Sequence, residues 1–143
     1  MDLLFQQLDP LQLPLVNRFY KECRYPAKAG RGEKVFVLKA GTSIVAAVRL
    51  SPKADNTLFL RSMCVAPDSR RLGYGARLLQ GIEPVLAQQS SYCFPFEHLL
   101  SFYERAHYQV QTPESVPSFI RDPFENYRRQ GRNIIIMTRG SMP

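Results

Sequence analysis

At 143 residues the chain has the length of one domain, and 45% hydrophobic against 22% charged residues excludes wholesale disorder. Nineteen Lys and Arg against twelve Asp and Glu leave a net charge of +7. Twelve of those bases, but only six of the acids, lie in residues 1–71, which points to an anionic partner without naming it. The longest apolar runs, Ile44–Val48 and Ile134–Met137, fall far short of the roughly 20 residues of a membrane-spanning helix.

Asp9-Pro10 offers an N-cap followed by a proline at the first helical position, and Leu11, Leu15, Phe19 and Cys23 recur every four residues behind it. A first helix is expected there, with Pro14 as the alternative start. Arg24–Glu33 mixes Pro26, Gly30 and Gly32 with Arg24, Lys28 and Arg31, the composition of a mobile basic loop. Val35–Leu38 and Ile44–Leu50 are β-rich and flank Gly41, which predicts a hairpin. A third strand follows over Leu58–Val65, with Leu58, Leu60, Ser62 and Cys64 on one side and Phe59, Arg61, Met63 and Val65 on the other.

Leu78, Leu79, Ile82, Val85 and Leu86 fit one face of a helix over Tyr74–Gln88, interrupted at Pro84, which cannot donate to the carbonyl of Gln80. Tyr92–Phe94 is a short strand candidate, and Glu97–Ala106 a helix with Leu99, Tyr103 and Ala106 on one stripe. Thr112–Arg132, polar and holding Pro113, Pro117 and Pro123, is expected to be a long loop with at most one helical turn. An Ile-rich strand over Asn133–Thr138 closes the pattern, which is that of an α/β domain with a mixed sheet.

The start carries Asp2 and Asp9 and lacks the basic and apolar regions of a secretory signal, so a cytoplasmic location is expected. Cys23, Cys64 and Cys93 contain no CxxC pair and read as reduced thiols. Cys93, His98 and His107 match no zinc spacing, and no metal is expected.

The segment that carries chemistry runs from Val65 to Ala76, because it joins a buried strand to a helix through a basic, glycine-bearing loop. Amides at a helix N-terminus bind pyrophosphate, glycines let the backbone approach without a Cβ in the way, and Arg70 and Arg71 add positive charge. The GxxxxGK[ST] of a nucleotide-hydrolysing P-loop and the GxGxxG of a dinucleotide fold are both missing. Alternatively, Gly73 and Gly75 merely permit a tight turn beside solvated arginines.

The offsets favour the cradle, and they resemble the acyl-CoA site of the GNAT superfamily of N-acyltransferases. Its [RQ]xxGx[GA] loop is matched by Arg70, Gly73 and Gly75, and its V-x-P-x-x-R strand end by Val65, Pro67 and Arg70. Ser101–Tyr108 resembles the family's FYExxGF segment, so the likeness covers Val35 to about Val110. It implies a single domain over residues 1–143, α/β in class, with a GNAT-like mixed, mostly antiparallel sheet flanked by helices and splayed at its central strands. It also implies acetyl-CoA as co-substrate. Cys64 and Val65 would lend backbone groups to the pantetheine, and Arg70, Arg71, Gly73, Tyr74, Gly75 and Ala76 would wrap the pyrophosphate.

By the same resemblance, Tyr103 is the acid that protonates the departing CoA thiolate; the competing reading makes it a core aromatic. Two departures stand out. The family's pantetheine-contacting asparagine is replaced by the run Pro95, Phe96, Glu97, His98, and His107-Tyr108 stand where Gly-Phe is usual. Asn56–Pro67 contains no Asp, Glu or His to serve as base, which leaves a water relay as the expectation, with Glu33, Glu97 and His98 as weaker candidates. Cys64 in an apolar strand is a poor nucleophile, so direct transfer is favoured over an acyl-enzyme.

The expected function is thus N-acetylation of a primary amine on a small molecule or protein, by a monomer or homodimer. The acceptor would be shaped by the first helix, Arg24–Glu33 and Thr112–Arg132, and the basic charge favours one bearing a carboxylate or phosphate. The rival is a non-catalytic acyl-CoA-binding regulatory module. Nucleic acid is disfavoured, since the arginines lack the aromatic interleaving of base-stacking modules.

Overall fold

The computed structural model describes residues 2–140. Its seven strands are β1 (Leu3–Gln7), β2 (Lys34–Ala40), β3 (Ser43–Lys53), β4 (Thr57–Val65), β5 (Ser91–Cys93), β6 (Gln109–Gln111) and β7 (Ile136–Arg139). The helices are α1 (Leu13–Glu22), α2 (Tyr74–Leu86), α3 (Leu100–Glu104) and α4 (Ser118–Arg129). The sheet order is β1-β2-β3-β4-β5-β7-β6. β4 and β5 are parallel, whereas β1–β2, β2–β3, β5–β7 and β6–β7 are antiparallel. Although β4 is nine residues long, its parallel register with β5 covers two pairs, Leu58↔Ser91 and Phe59↔Tyr92. The chain divides into two compact units, Met1–Pro52 with Leu60–Pro84, and Lys53–Phe59 with Val85–Pro143.

In the first unit, β1 is a strand that the sequence pattern did not announce. It pairs with β2, and Phe5 stacks on Phe36 with ring centroids 5.8 Å apart. Asp9 does cap, but it caps a 3₁₀ turn over Pro10–Gln12 through a reciprocal bond with Gln12. The α-helix begins one residue before Pro14. Its buried face is Val16, Phe19 and Tyr20; Leu11, expected on that face, is 89% exposed and Leu15 is exposed as well. Of the expected stripe Phe19 is buried; Leu11 lies in the 3₁₀ turn ahead of α1, and Leu15, within α1, falls beside the buried face of Val16, Phe19 and Tyr20 and not on it.

The expected β2–β3 hairpin is present, turning at Gly41 with φ +64°. β2, β3 and α1 enclose a core of Val16, Phe19, Tyr20, Val35, Val37, Ala47 and Cys64. The regular alternation assigned to β4 fails at Ser62, whose φ of +59° places a non-glycine residue in the left-handed region. The phenol of Tyr20 donates to the Ser62 carbonyl at 2.8 Å and so satisfies a backbone group that the irregularity releases. α2 runs through Pro84 and buries Leu78, Leu79, Ile82 and Leu86.

The second unit corrects the largest expectation. Thr112–Arg132 is not a loop: a 3₁₀ turn over Pro113–Ser115 leads into the twelve-residue α4. Pro123 lies inside that helix and removes one ladder bond, yet Ile120 and Phe124 remain one turn apart and buried. They pack with Phe59, Tyr92, Val116, Ile134 and Ile136, while Phe94, Phe119 and Tyr127 flank them. Burial of this apolar set stabilises a helix whose polar, proline-bearing sequence gives it little intrinsic propensity. β6 was also absent from the sequence pattern, being three residues whose pairing with β7 supplies the structure that local preference does not.

Candidate acetyl-CoA site

β4 ends at Val65, and Ala66 donates to the Val45 carbonyl at 2.8 Å, fixing the point where the chain leaves the sheet. A 3₁₀ turn over Pro67–Ser69 follows, then Arg70, Arg71, Leu72 and Gly73 lead into α2. Arg71 (φ +67°) and Gly73 (φ +79°) are both left-handed, so the backbone folds into a concavity before the helix. The helical ladder includes the bond from the Arg77 amide to the Gly73 carbonyl at 3.0 Å, which leaves the amides of Gly73, Tyr74, Gly75 and Ala76 ahead of it. Space is open where a Gly73 Cβ would stand, so this glycine answers the positive φ and not a steric limit.

Arg70 and Arg71 are exposed and form no ion pair among the described residues; Arg70 Nε reaches the Val65 carbonyl at 3.4 Å. A dianionic pyrophosphate fits such a place: four forward-facing amides, the positive end of a helix dipole and two uncompensated guanidinium groups. Cys64 is buried and Val65 half-buried at the end of β4. Burial first, and the neighbouring Cys23 thiol second, push the Cys64 thiol up to about 12, which removes it as a nucleophile near neutral pH.

Arg24–Glu33, the expected mobile loop, is tied down within this unit. Arg49, on β3, donates to the Lys28 carbonyl at 2.7 Å, to Glu33 Oε1 at 2.8 Å and to Ser62 Oγ at 2.6 Å. Glu33 also accepts from the Gly30 amide at 2.8 Å and from the Ser51 hydroxyl. Asn17 bonds both the amide and the carbonyl of Ala29, joining the same loop to α1. Burial alone would raise the Glu33 carboxyl, but the Ser51 and Gly30 hydrogen bonds and the Arg49 charge outweigh it and hold the group below the usual carboxylate range. Sequence reasoning passed over Arg49; its one signal is a lone arginine in the otherwise apolar run Ile44–Leu50.

In the second unit, Tyr103 lies on α3 and is 5% exposed, edge-on to Phe102 at 5.0 Å and to Tyr108 at 6.1 Å. α3 ends as the sequence allowed, with His107 taking the left-handed φ of +69° in place of glycine and the Tyr108 amide returning to the Tyr103 carbonyl. The Tyr108 hydroxyl then meets Ser91 Oγ at 2.7 Å, so the residue standing for the family's phenylalanine is bonded into β5. Of the weaker base candidates, Glu33 is engaged by Arg49, whereas Glu97 and His98 line a surface cavity with Phe96 and Asn133. Among the described residues no three His, Cys, Asp or Glu side chains gather to hold a metal, and no helix is long and apolar enough to cross a membrane.

The acetyltransferase (GNAT) domain model matches residues 31–110, more than half of the chain and the part that holds the Arg70–Gly75 loop and Tyr103. No curated protein matches by sequence. Among solved structures, the ribosomal-protein-S18-alanine N-acetyltransferase from Escherichia coli superposes with a TM-score of 0.72 at 18% identity, over 99% of this chain and 96% of that one. Ard1 from Thermoplasma volcanium gives 0.69 at 14% identity, with both chains fully covered. N-acetylglutamate synthase from Neisseria gonorrhoeae, complexed with coenzyme A and N-acetyl-glutamate, gives 0.70 at 19% identity; all of this chain matches, but it spans only 36% of that protein. With its loop matched in sequence and its sheet matched in shape, the chain belongs to the GNAT family of acetyltransferases.

Proposed function

We propose that the protein transfers the acetyl group of acetyl-CoA directly to a primary amine of a small molecule or protein. The observation that carries this reading is the doubly left-handed turn ahead of α2, whose exposed Arg70 and Arg71 form no ion pair among the described residues and so leave two guanidinium charges for a pyrophosphate. Arg70, Arg71, Gly73, Tyr74, Gly75 and Ala76 hold the diphosphate, and backbone groups of Cys64 and Val65 align the pantetheine. Bound acetyl-CoA supplies a thioester activated for attack by nitrogen. Tyr103 protonates the sulfur as the C–S bond breaks, so that a neutral thiol departs in place of a thiolate, while the proton lost by the attacking nitrogen passes to water. With Cys64 held as a thiol, no acyl-enzyme forms and the acetyl group passes in one step.

The neighbours' acceptors range from an amino acid to a ribosomal protein's alanine, so the fold does not fix the acceptor. Free thiol, followed while acetyl-CoA is mixed with a panel of amines, is expected to rise with one class of them. Calorimetric binding of CoA without release for any amine would leave the non-catalytic acyl-CoA module, which the missing asparagine and the missing acid on β4 favour, as the better reading.

A further inference from the structure

After β5, Phe96 forms an isolated antiparallel bridge with Ile134, which sets the Phe96–His98 corner beside the chain entering β7. An open surface cavity of about 360 Å³ lies there, lined by the exposed Phe96, Glu97, His98 and Asn133. Phe96 is 50% exposed although the same unit buries Phe59, Tyr92 and Phe124. Its ring stacks on His98 with centroids 6.0 Å apart and planes within 11°, so two aromatic faces are held in parallel at the surface. Glu97 makes no ion pair among the described residues, on a chain with seven more bases than acids. The base nearest in sequence to the cavity, Arg132, lies instead over the Tyr127 ring at 4.6 Å.

An aromatic face, an uncompensated carboxylate and an amide around one cavity suit an organic cation. We infer that this cavity binds a positively charged group of the acceptor, Glu97 supplying the countercharge and Phe96 the ring face. The inference rests on the acetyltransferase reading and deepens it. A reacting amine must be unprotonated, so the cation held here is a second one, and the acceptor is dibasic. Glu97 lies in a 3₁₀ turn over Glu97–Leu99 that runs directly into α3, which carries Tyr103, the proposed acid. The conclusion opposes the anionic acceptor that net charge suggested, because a carboxylate within contact distance outweighs arginines screened by water and salt.

The test is titration of 1,5-diaminopentane and of the uncharged 1-pentanol into the CoA-bound protein, following His98 ring resonances by NMR. The diamine is expected to bind at least about fivefold tighter, and Glu97→Gln and Phe96→Ala each to remove that preference. Ala-Lys and Ala-Leu dipeptides, titrated in the same way, distinguish a peptide from a free polyamine as the source of the cation. Equal affinity for the diamine and the alcohol, or displacement of the diamine by acetyl-CoA, would overturn the inference. Failure of the acetyltransferase reading shows separately, as an absence of thiol release and of CoA binding.

Discussion

Tyr103 tests the chemistry most directly, because Tyr103→Phe keeps the ring that packs against Phe102 and Tyr108 and removes only the hydroxyl. General acids contribute on the order of 10²–10⁴-fold, so kcat is expected to fall by at least about 100-fold while KM for acetyl-CoA stays within about twofold. Steady-state thiol release checks this, and an unchanged kcat would make Tyr103 a core aromatic. At the loop, Gly73→Ala places a Cβ on a residue at φ +79°, a strain of about 1–2 kcal/mol that costs roughly tenfold in CoA affinity if it distorts the cradle. Since nothing crowds that Cβ, calorimetry should show weaker binding without a comparable loss of folding stability.

The elements depend on a few side chains that local sequence does not advertise. The Arg49–Glu33 pair, with side chains 5% and 14% exposed, ties Arg24–Glu33 to β3. Arg49→Met leaves Glu33 without its counter-ion and is expected to destabilise by about 3 kcal/mol in urea unfolding. The pair also sets a pH response. The Glu33 carboxyl is held below its ordinary 4.5 in the folded state, so its contribution is complete above that value and lost as pH falls through the lower folded value. Thermal melts from neutral to strongly acid pH should therefore decline less steeply for Glu33→Gln than for the parent. Gly81 shows the same dependence on tertiary contact: a Cβ there would overlap the Phe5 ring, so Gly81→Ala should destabilise by about 1–3 kcal/mol despite the better helix propensity of alanine. Combining it with Phe5→Leu should recover most of that loss if the overlap is the cause.

For the molecule as a whole, the charge of +7 and the polyanionic coenzyme make association sensitive to salt. Raising ionic strength from about 0.01 to 0.15 M shortens the screening length from roughly 30 to 8 Å, and the association rate for CoA should fall severalfold. Stopped-flow fluorescence at the two ionic strengths would separate this steering from the contact charges of Arg70 and Arg71.

What the sequence determined alone is what short spacing encodes. The β2–β3 hairpin around Gly41, the Val65-to-Gly75 loop with its helix, and the helix end at His107 each depend on a handful of adjacent residues and their backbone preferences. Tertiary structure decided the rest. β1 and β6 exist because β2 and β7 pair with them, α4 because Ile120 and Phe124 find an aromatic core, and the clamp on Arg24–Glu33 because Arg49 reaches it from a strand sixteen residues past Glu33. In each of these cases the stabilising partner is far along the chain, and a pattern read in short windows carries no term for it.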